Sequence, residues 1–295
     1  MLPAPFTTEF LNRLEALRLR TRKEVLGNRP GSYTSPRRGA SLEFADYRRY
    51  SPGDDIRYID WGIFARSDRL YVRLFREEVD LFAYIFIDAS GSMAFPSRQE
   101  KFAPACNLAL ALAYVVLANQ DHVRLHCLHG APSASPFYQG RHRMMELIDF
   151  VSSVSPDGPL DLAPALGAQL QRIRRPGKAI LISDFLTSAD SYQQGLNLLR
   201  AFNLDISVIQ VLSRPEIEPA FPRGGVALVD SESHEEITLR WSAALRRDYH
   251  ERLERHNRGL KSFCHQSGIH YSLYVTGEDL SEFVLATLPA IGLFK

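Results

Sequence analysis

Leu81-Phe82-Ala83-Tyr84-Ile85-Phe86-Ile87-Asp88-Ala89-Ser90-Gly91-Ser92 is the stretch that decides the fold. Seven apolar residues run without a polar interruption and end in an aspartate. A strand with one wet face alternates apolar and polar residues, so an unbroken run marks a strand covered on both faces, as in the middle of a parallel sheet. Downstream, Phe102, Cys106, Ala109, Ala113 and Leu117 keep helical spacing, and His122 to Leu128 reads as a second strand. A helix around Arg143 to Val154 and another after Asp161 lead to the strand Ala179 to Asp184. Helix and strand alternate again through Tyr192 to Phe202 and Ile206 to Leu212. This alternation predicts an α/β fold: an open, mostly parallel, Rossmann-like sheet with helices on both faces.

Working outward, Val226 to Asp230 and Glu236 to Leu239, joined through a polar Ser-Glu-Ser-His turn, predict a small inserted hairpin at about 217–240. A helix follows with Leu245, Tyr249, Leu253, His256, Leu260 and Phe263 on its apolar face. The strand Ile269 to Val275 and a helix from Leu280 to Leu288 come last. Upstream, Thr7 to Glu24 reads as an amphipathic helix with Phe10, Leu14 and Leu17 on one face. A turn-rich stretch from Gly27 to Gly39 follows, then short strands at Leu42 to Phe44 and Leu70 to Phe75. The expected division is a preface over 1–77 and the α/β domain over 78–295.

Bulk properties narrow the function. A net charge of +1 gives no reason to expect nucleic acid or an anionic membrane as partner. The basic cluster Arg13, Arg18, Arg20, Arg22, Lys23, Arg29, Arg37 and Arg38 reads as a solvated face before it reads as a partner surface. Three cysteines, an odd number spaced far apart, fit a reducing compartment. The first thirty residues, broken by charge, hold no apolar signal core, and no apolar stretch reaches the ~20 residues of a membrane span. The expectation is a soluble, cytoplasmic protein.

Asp88, Ser90 and Ser92 put a carboxylate and two hydroxyls in one turn at a strand end, where ligands gather in open parallel sheets. Ser183-Asp184 brings a second carboxylate to the end of another inner strand. Such hard oxygens suit Mg²⁺ or Mn²⁺. The competing reading is that Asp88 and its serines simply cap a helix. Pro52-Gly53 predicts a turn, with Asp54 or Asp55 capping a short helix and Asp55, Asp60, Arg57 and Arg66 pairing among themselves. His126 and His129, three apart on a strand, point to opposite faces and read as ordinary residues. Neither a Gly-x-Ser-x-Gly elbow nor a Walker loop is present.

Asp88, Ser90, Ser92 and Asp184 resemble the metal-ion-dependent adhesion site of von Willebrand factor A domains. Arg38 to Phe44 and Gly53 to Trp61, followed by Ala65-Arg66, resemble the hallmark of the domain-of-unknown-function 58 family, which couples such a preface to an A-type domain. The resemblance implies a non-catalytic protein–protein interaction module and a protein partner such as a MoxR-type AAA+ ATPase. It also exposes a departure: the family's Gly-Gly-Thr-Asp-Leu reads Gly158-Pro159-Leu160-Asp161-Leu162 here. Leu160 offers no oxygen in place of the metal-binding threonine, which leaves Asp161, or a water, as substitute ligand. A metal-free scaffold with a degenerate site and a metal-dependent hydrolase remain as alternatives.

Overall fold

The computed structural model describes residues 6–20, 43–76, 81–129, 133–221, 225–229 and 236–294. Its elements begin with α1 (Thr8–Glu15), β1 (Glu43–Arg49), α2 (Trp61–Ser67) and β2 (Tyr71–Arg76). Then come β3 (Phe82–Asp88), α3 (Phe102–Ala118), β4 (His122–Leu128), β5 (Ser133–Ala134), β6 (Tyr138–Gln139) and α4 (Met144–Ser152). Next are α5 (Leu162–Leu170), β7 (Lys178–Ser183), α6 (Ala189–Ala201), β8 (Asp205–Leu212) and α7 (Arg214–Ile217). The remainder is β9 (Gly225–Val229), β10 (Glu236–Arg240), α8 (Ala243–Gln266), β11 (His270–Val275), α9 (Leu280–Glu282), a π-helical turn at Phe283–Thr287 and α10 (Leu288–Ala290). The chain divides into a large unit, Met1–Arg22 with Leu81–Lys295, and a small unit, Lys23–Asp80.

The large unit is built on a sheet in the order β11-β8-β7-β3-β4-β5, with β6 also on β4. The inner strands are all parallel, and only the short β5 and β6 run against β4. This is the α/β sheet that the apolar runs predict, with a short antiparallel edge that they do not. Strand geometry explains the layers, because successive side chains leave opposite faces. Ala83, Ile85 and Ile87 enter a core with α1, α3, α4 and the segment near Leu288. Tyr84 and Phe86 enter a second core with α5, α6 and α8. Strand β7 splits the same way, Ile180 and Ile182 to the first core, Ala179 and Leu181 to the second. Helix α3 is buried almost all round, as its composition requires.

The expected boundary at 77/78 is corrected by α1. Phe10 and Leu14 are buried in the first core, Glu15 accepts from Tyr114 and Arg141, and Leu19 forms a β-bridge with Phe294. Buried apolar area thus ties this helix to the large unit and not to the preface. The helix also stops at Glu15, short of the expected Glu24; residues 21–24 lie outside the described residues. So do the turn-rich stretch Gly27 to Gly39, Arg38 to Leu42, the hairpin turn Ser231 to His234, and Arg22, Lys23, Arg29 and Arg37. Arg13, Arg18 and Arg20 are exposed, as a solvated face requires. The inserted hairpin is present as antiparallel β9–β10. No described helix is long and apolar enough to cross a membrane.

In the small unit β1 and β2 pair antiparallel. Gly53 adopts φ +106°, and Asp55 caps the 3-10 turn Ile56–Tyr58, as Pro52-Gly53-Asp54-Asp55 predicts. Asp55 pairs with Arg57. Asp60, however, pairs with Arg73 and accepts from Tyr47 and Ile63 N, while Arg66 donates to Gly62 O. The Arg73 guanidinium beside it holds the Asp60 carboxyl down at about 2.

Each core lends itself to a stability measurement. Leu14 is fully buried, so Leu14→Ala is expected to cost about 2–5 kcal/mol in chemical denaturation. A surface helix would lose a few tenths. His126 is buried against Phe86 with Nδ1 on Gln169 Oε1, and burial pushes its pKa down to about 4. The unfolded chain binds this proton near pH 6.5 and the folded one does not, so stability drains away as pH falls from 6.5 toward 4. Melts of His126→Phe across that window should show a shallower loss than the unsubstituted protein.

Candidate functional site

Because β3 and β7 are neighbours with Ile87 opposite Ile182, their carboxyl ends finish side by side. The chain leaves β3 for β4 on one flank and returns to β7 on the other. That reversal opens a crevice, the usual ligand position in doubly wound sheets. Asp88, Ser90, Ser92, Leu160, Ser183 and Asp184 line a cavity of about 60 Å³ there. The four oxygen-bearing residues singled out on both strands therefore converge on one pocket.

Each is held from behind. Asp88 Oδ1 accepts from Ser90 N at 2.8 Å and Oδ2 from the Ser183 hydroxyl. The Ser90 and Ser92 hydroxyls bond each other at 2.9 Å. Gly91 N donates to Gly158 O and Asp157 N to Ala89 O, which draws the loop carrying Leu160 against the Asp88 turn. Asp184 Oδ1 accepts from Leu186 N at 3.0 Å. The next residue, Phe185, sits at φ 54°, a left-handed conformation that costs a non-glycine residue about 1–2 kcal/mol. Hydrogen bonds offset this: Gln210 Nε2 donates to Asp184 O and His256 Nε2 to Phe185 O.

The sequence reading missed the cation at the site. Lys101 is completely buried just before α3. Its ammonium donates to Asp184 Oδ2 at 2.6 Å, Glu216 Oε1 at 2.6 Å and Ser92 O at 3.1 Å, so all three of its protons have partners. Glu216 Oε2 in turn accepts from Ser213 N and Oγ. Burial works to lower the Lys101 pKa, but Asp184 and Glu216 together outweigh it and raise the value. Burial, then the neighbouring charge of Asp184, push Asp88 up to about 6 against the hydrogen bonds from Ser183 and Ser90. Fully ionised, Asp88, Asp184 and Glu216 against Lys101 leave the cluster with a surplus of two negative charges.

Asp161 is corrected. It is exposed, caps α5 through Ala163 N and does not line the pocket, whereas Leu160 and Leu162 on either side of it do. Asp161 is therefore a helix cap and not a substitute ligand. No cluster of three or more histidine, cysteine, aspartate or glutamate side chains that could hold a metal occurs among the described residues. An ion here would depend on the hydroxyls of Ser90 and Ser92 as much as on the carboxylates. Two carboxylates and two hydroxyls around so small a cavity fit a hard divalent cation that keeps waters. Lys101 and Leu160 weigh against tight binding. A larger cavity, about 610 Å³, lies at the opposite edge between Arg258, Lys261, His265, His270 and Ile291, remote from these residues.

Residues 46–259 match the family model described as "Protein of unknown function DUF58". The uncharacterised protein Rv1480 of Mycobacterium tuberculosis is 28% identical over 243 residues, 80% of this chain and 75% of its own. Mb1516 of Mycobacterium bovis gives the same figures. Among solved structures, BatB from Bacteroides thetaiotaomicron is similar at a TM-score of 0.41 and 15% identity, over 72% of this chain and 98% of that one. The vWF domain of the type V pili tip protein Mfa5 from Porphyromonas gingivalis is similar at 0.31 and 13%, over 69% and 83%.

Asp161→Ala is expected to cost about 1 kcal/mol of stability as a lost cap. Its Mn²⁺ binding, followed by calorimetry, should stay that of the unsubstituted protein.

Proposed function

The chain belongs to the DUF58 family, and from that premise we propose that it is a non-catalytic protein–protein interaction module that docks an acidic group of a partner at a divalent ion. Asp88, Ser90 and Ser92 would hold Mg²⁺ or Mn²⁺, with Asp184 reaching it through water. The observation that carries this reading is the convergence of Asp88, Ser90, Ser92 and Asp184 on a single crevice. The ion, when bound, supplies an open coordination position for a carboxylate. The chain's own residues do the rest. Ser183 and Ser90 N aim the Asp88 carboxylate, Leu186 N orients Asp184, and the Ser90–Ser92 bond fixes the hydroxyls. A charge-assisted contact inside a recessed cavity gives partner specificity, while the loops around it give area.

Size supports docking over turnover. A cavity of about 60 Å³ is far smaller than small-molecule pockets, which span ~300–1,000 Å³. A MoxR-type AAA+ ATPase is the partner class that the family resemblance implies. The proposed compartment is the cytoplasm, a reading supported by three cysteines that are all buried and unpaired.

A metal-free scaffold is the second reading, favoured by Lys101 already neutralising Asp184 and by Leu160 on the pocket wall. Affinity capture from the native cell separates the two. With the first, chelator or Asp88→Ala strips off partners that Mg²⁺ retains; equal capture in all arms rejects the ion's role. Leu160→Thr returns the absent oxygen and is expected to tighten Mn²⁺ binding about 10-fold or more in calorimetry. An unchanged constant would mean that position 160 does not face the ion.

A further inference from the structure

Lys101 touches two of the four residues proposed to serve the ion: the Asp184 carboxylate and the Ser92 carbonyl. Its ammonium is wholly buried, and the second carboxylate it meets, Glu216, belongs to α7, the short helix that precedes the β9–β10 hairpin. A second buried pair, Lys178–Asp205, lies at the starts of β7 and β8, at the far end of the strands from the crevice. The Lys101 pair instead ends on Asp184, one of the two carboxylates that line the crevice, at 2.6 Å. Both Asp184 oxygens are thus engaged, one by Leu186 N and one by Lys101.

We propose that Lys101 is a resident cation that competes with a divalent ion for Asp184 and so sets the ion affinity of the pocket. The inference rests on the ion-docking reading for the ligand set and adds the residue that regulates it. Like charges this close to one carboxylate repel strongly at the effective dielectric of a buried site. The crevice keeps its shape without a divalent ion because the ammonium supplies positive charge in advance. Glu216 tunes the competition by sharing that charge.

The test is Lys101→Met/Glu216→Gln, which removes the ammonium together with its second carboxylate and leaves no extra unpaired charge at position 216. Mn²⁺ alone is the probe, read by calorimetry and by melting temperature with and without chelator. The dissociation constant is expected to fall about 10-fold or more, and the melting temperature to become sensitive to chelator. Adding Asp88→Ala should abolish the gain, which locates it in this crevice. Glu216→Gln alone, which leaves Lys101 less neutralised, should weaken Mn²⁺ several-fold; it decides the matter if the double variant does not fold. Binding by the double variant no tighter than by the unsubstituted protein overturns the proposal, as does a gain that survives Asp88→Ala or a Glu216→Gln variant with unchanged affinity. If only the double variant takes Mn²⁺, the competition stands and the ion-docking function falls. If the unsubstituted protein binds Mn²⁺ and the double variant gains nothing, ion docking stands and the competition falls.

Discussion

A strand that is apolar on both sides cannot lie at the surface, and β3 imposes that constraint on the whole large unit. Its alternate residues supply two separate cores, so helices must cover both faces of the sheet. Neighbouring strands then fill either side, and the first polar residue of the run, Asp88, emerges only where coverage ends. The crevice is therefore a product of burial. Apolar side chains place the strand, and the strand end places the carboxylate beside Asp184.

The buried ammonium is the second organising element. Taking Lys101, Asp184 and Glu216 out of water costs several kcal/mol per ion, and their mutual attraction recovers this only with good geometry and full hydrogen bonding. Both conditions are met: every ammonium proton has an acceptor, and the remaining Glu216 oxygen has two donors. The cluster bears the loss of any one member poorly, because removing one partner leaves a buried charge uncompensated. It fixes the start of α3, the end of β7 and helix α7 to one point, although their sequence separations are 83 and 115 residues.

Those separations explain what was legible in the sequence. The runs at Phe82–Asp88, Lys178–Ser183 and Asp205–Leu212 announce themselves because each is locally apolar. The tandem Asp88-x-Ser90-x-Ser92 is visible because its spacing is local. Lys101 gives no distinct signal, since it stands with Arg98 and Glu100 in a charged run before a long apolar helix, and its partners cannot be found without the fold. Asp161 misleads for the opposite reason: helix capping and metal binding draw on the same residue type, and only exposure separates them. The N-terminal helix misleads because the residues after Ala16 pair with a distant segment instead, Leu19 with Phe294 and Arg20 N with Leu293 O.

The bridge between Leu19 and Phe294, reinforced by Arg20 N on Leu293 O, stitches the beginning of the large unit to its end. That contact joins residues far apart in sequence, and such a long-range pairing must offset a large loop-closure entropy. The small unit, lying in sequence between α1 and β3, is therefore an insertion between two segments that the large unit holds together.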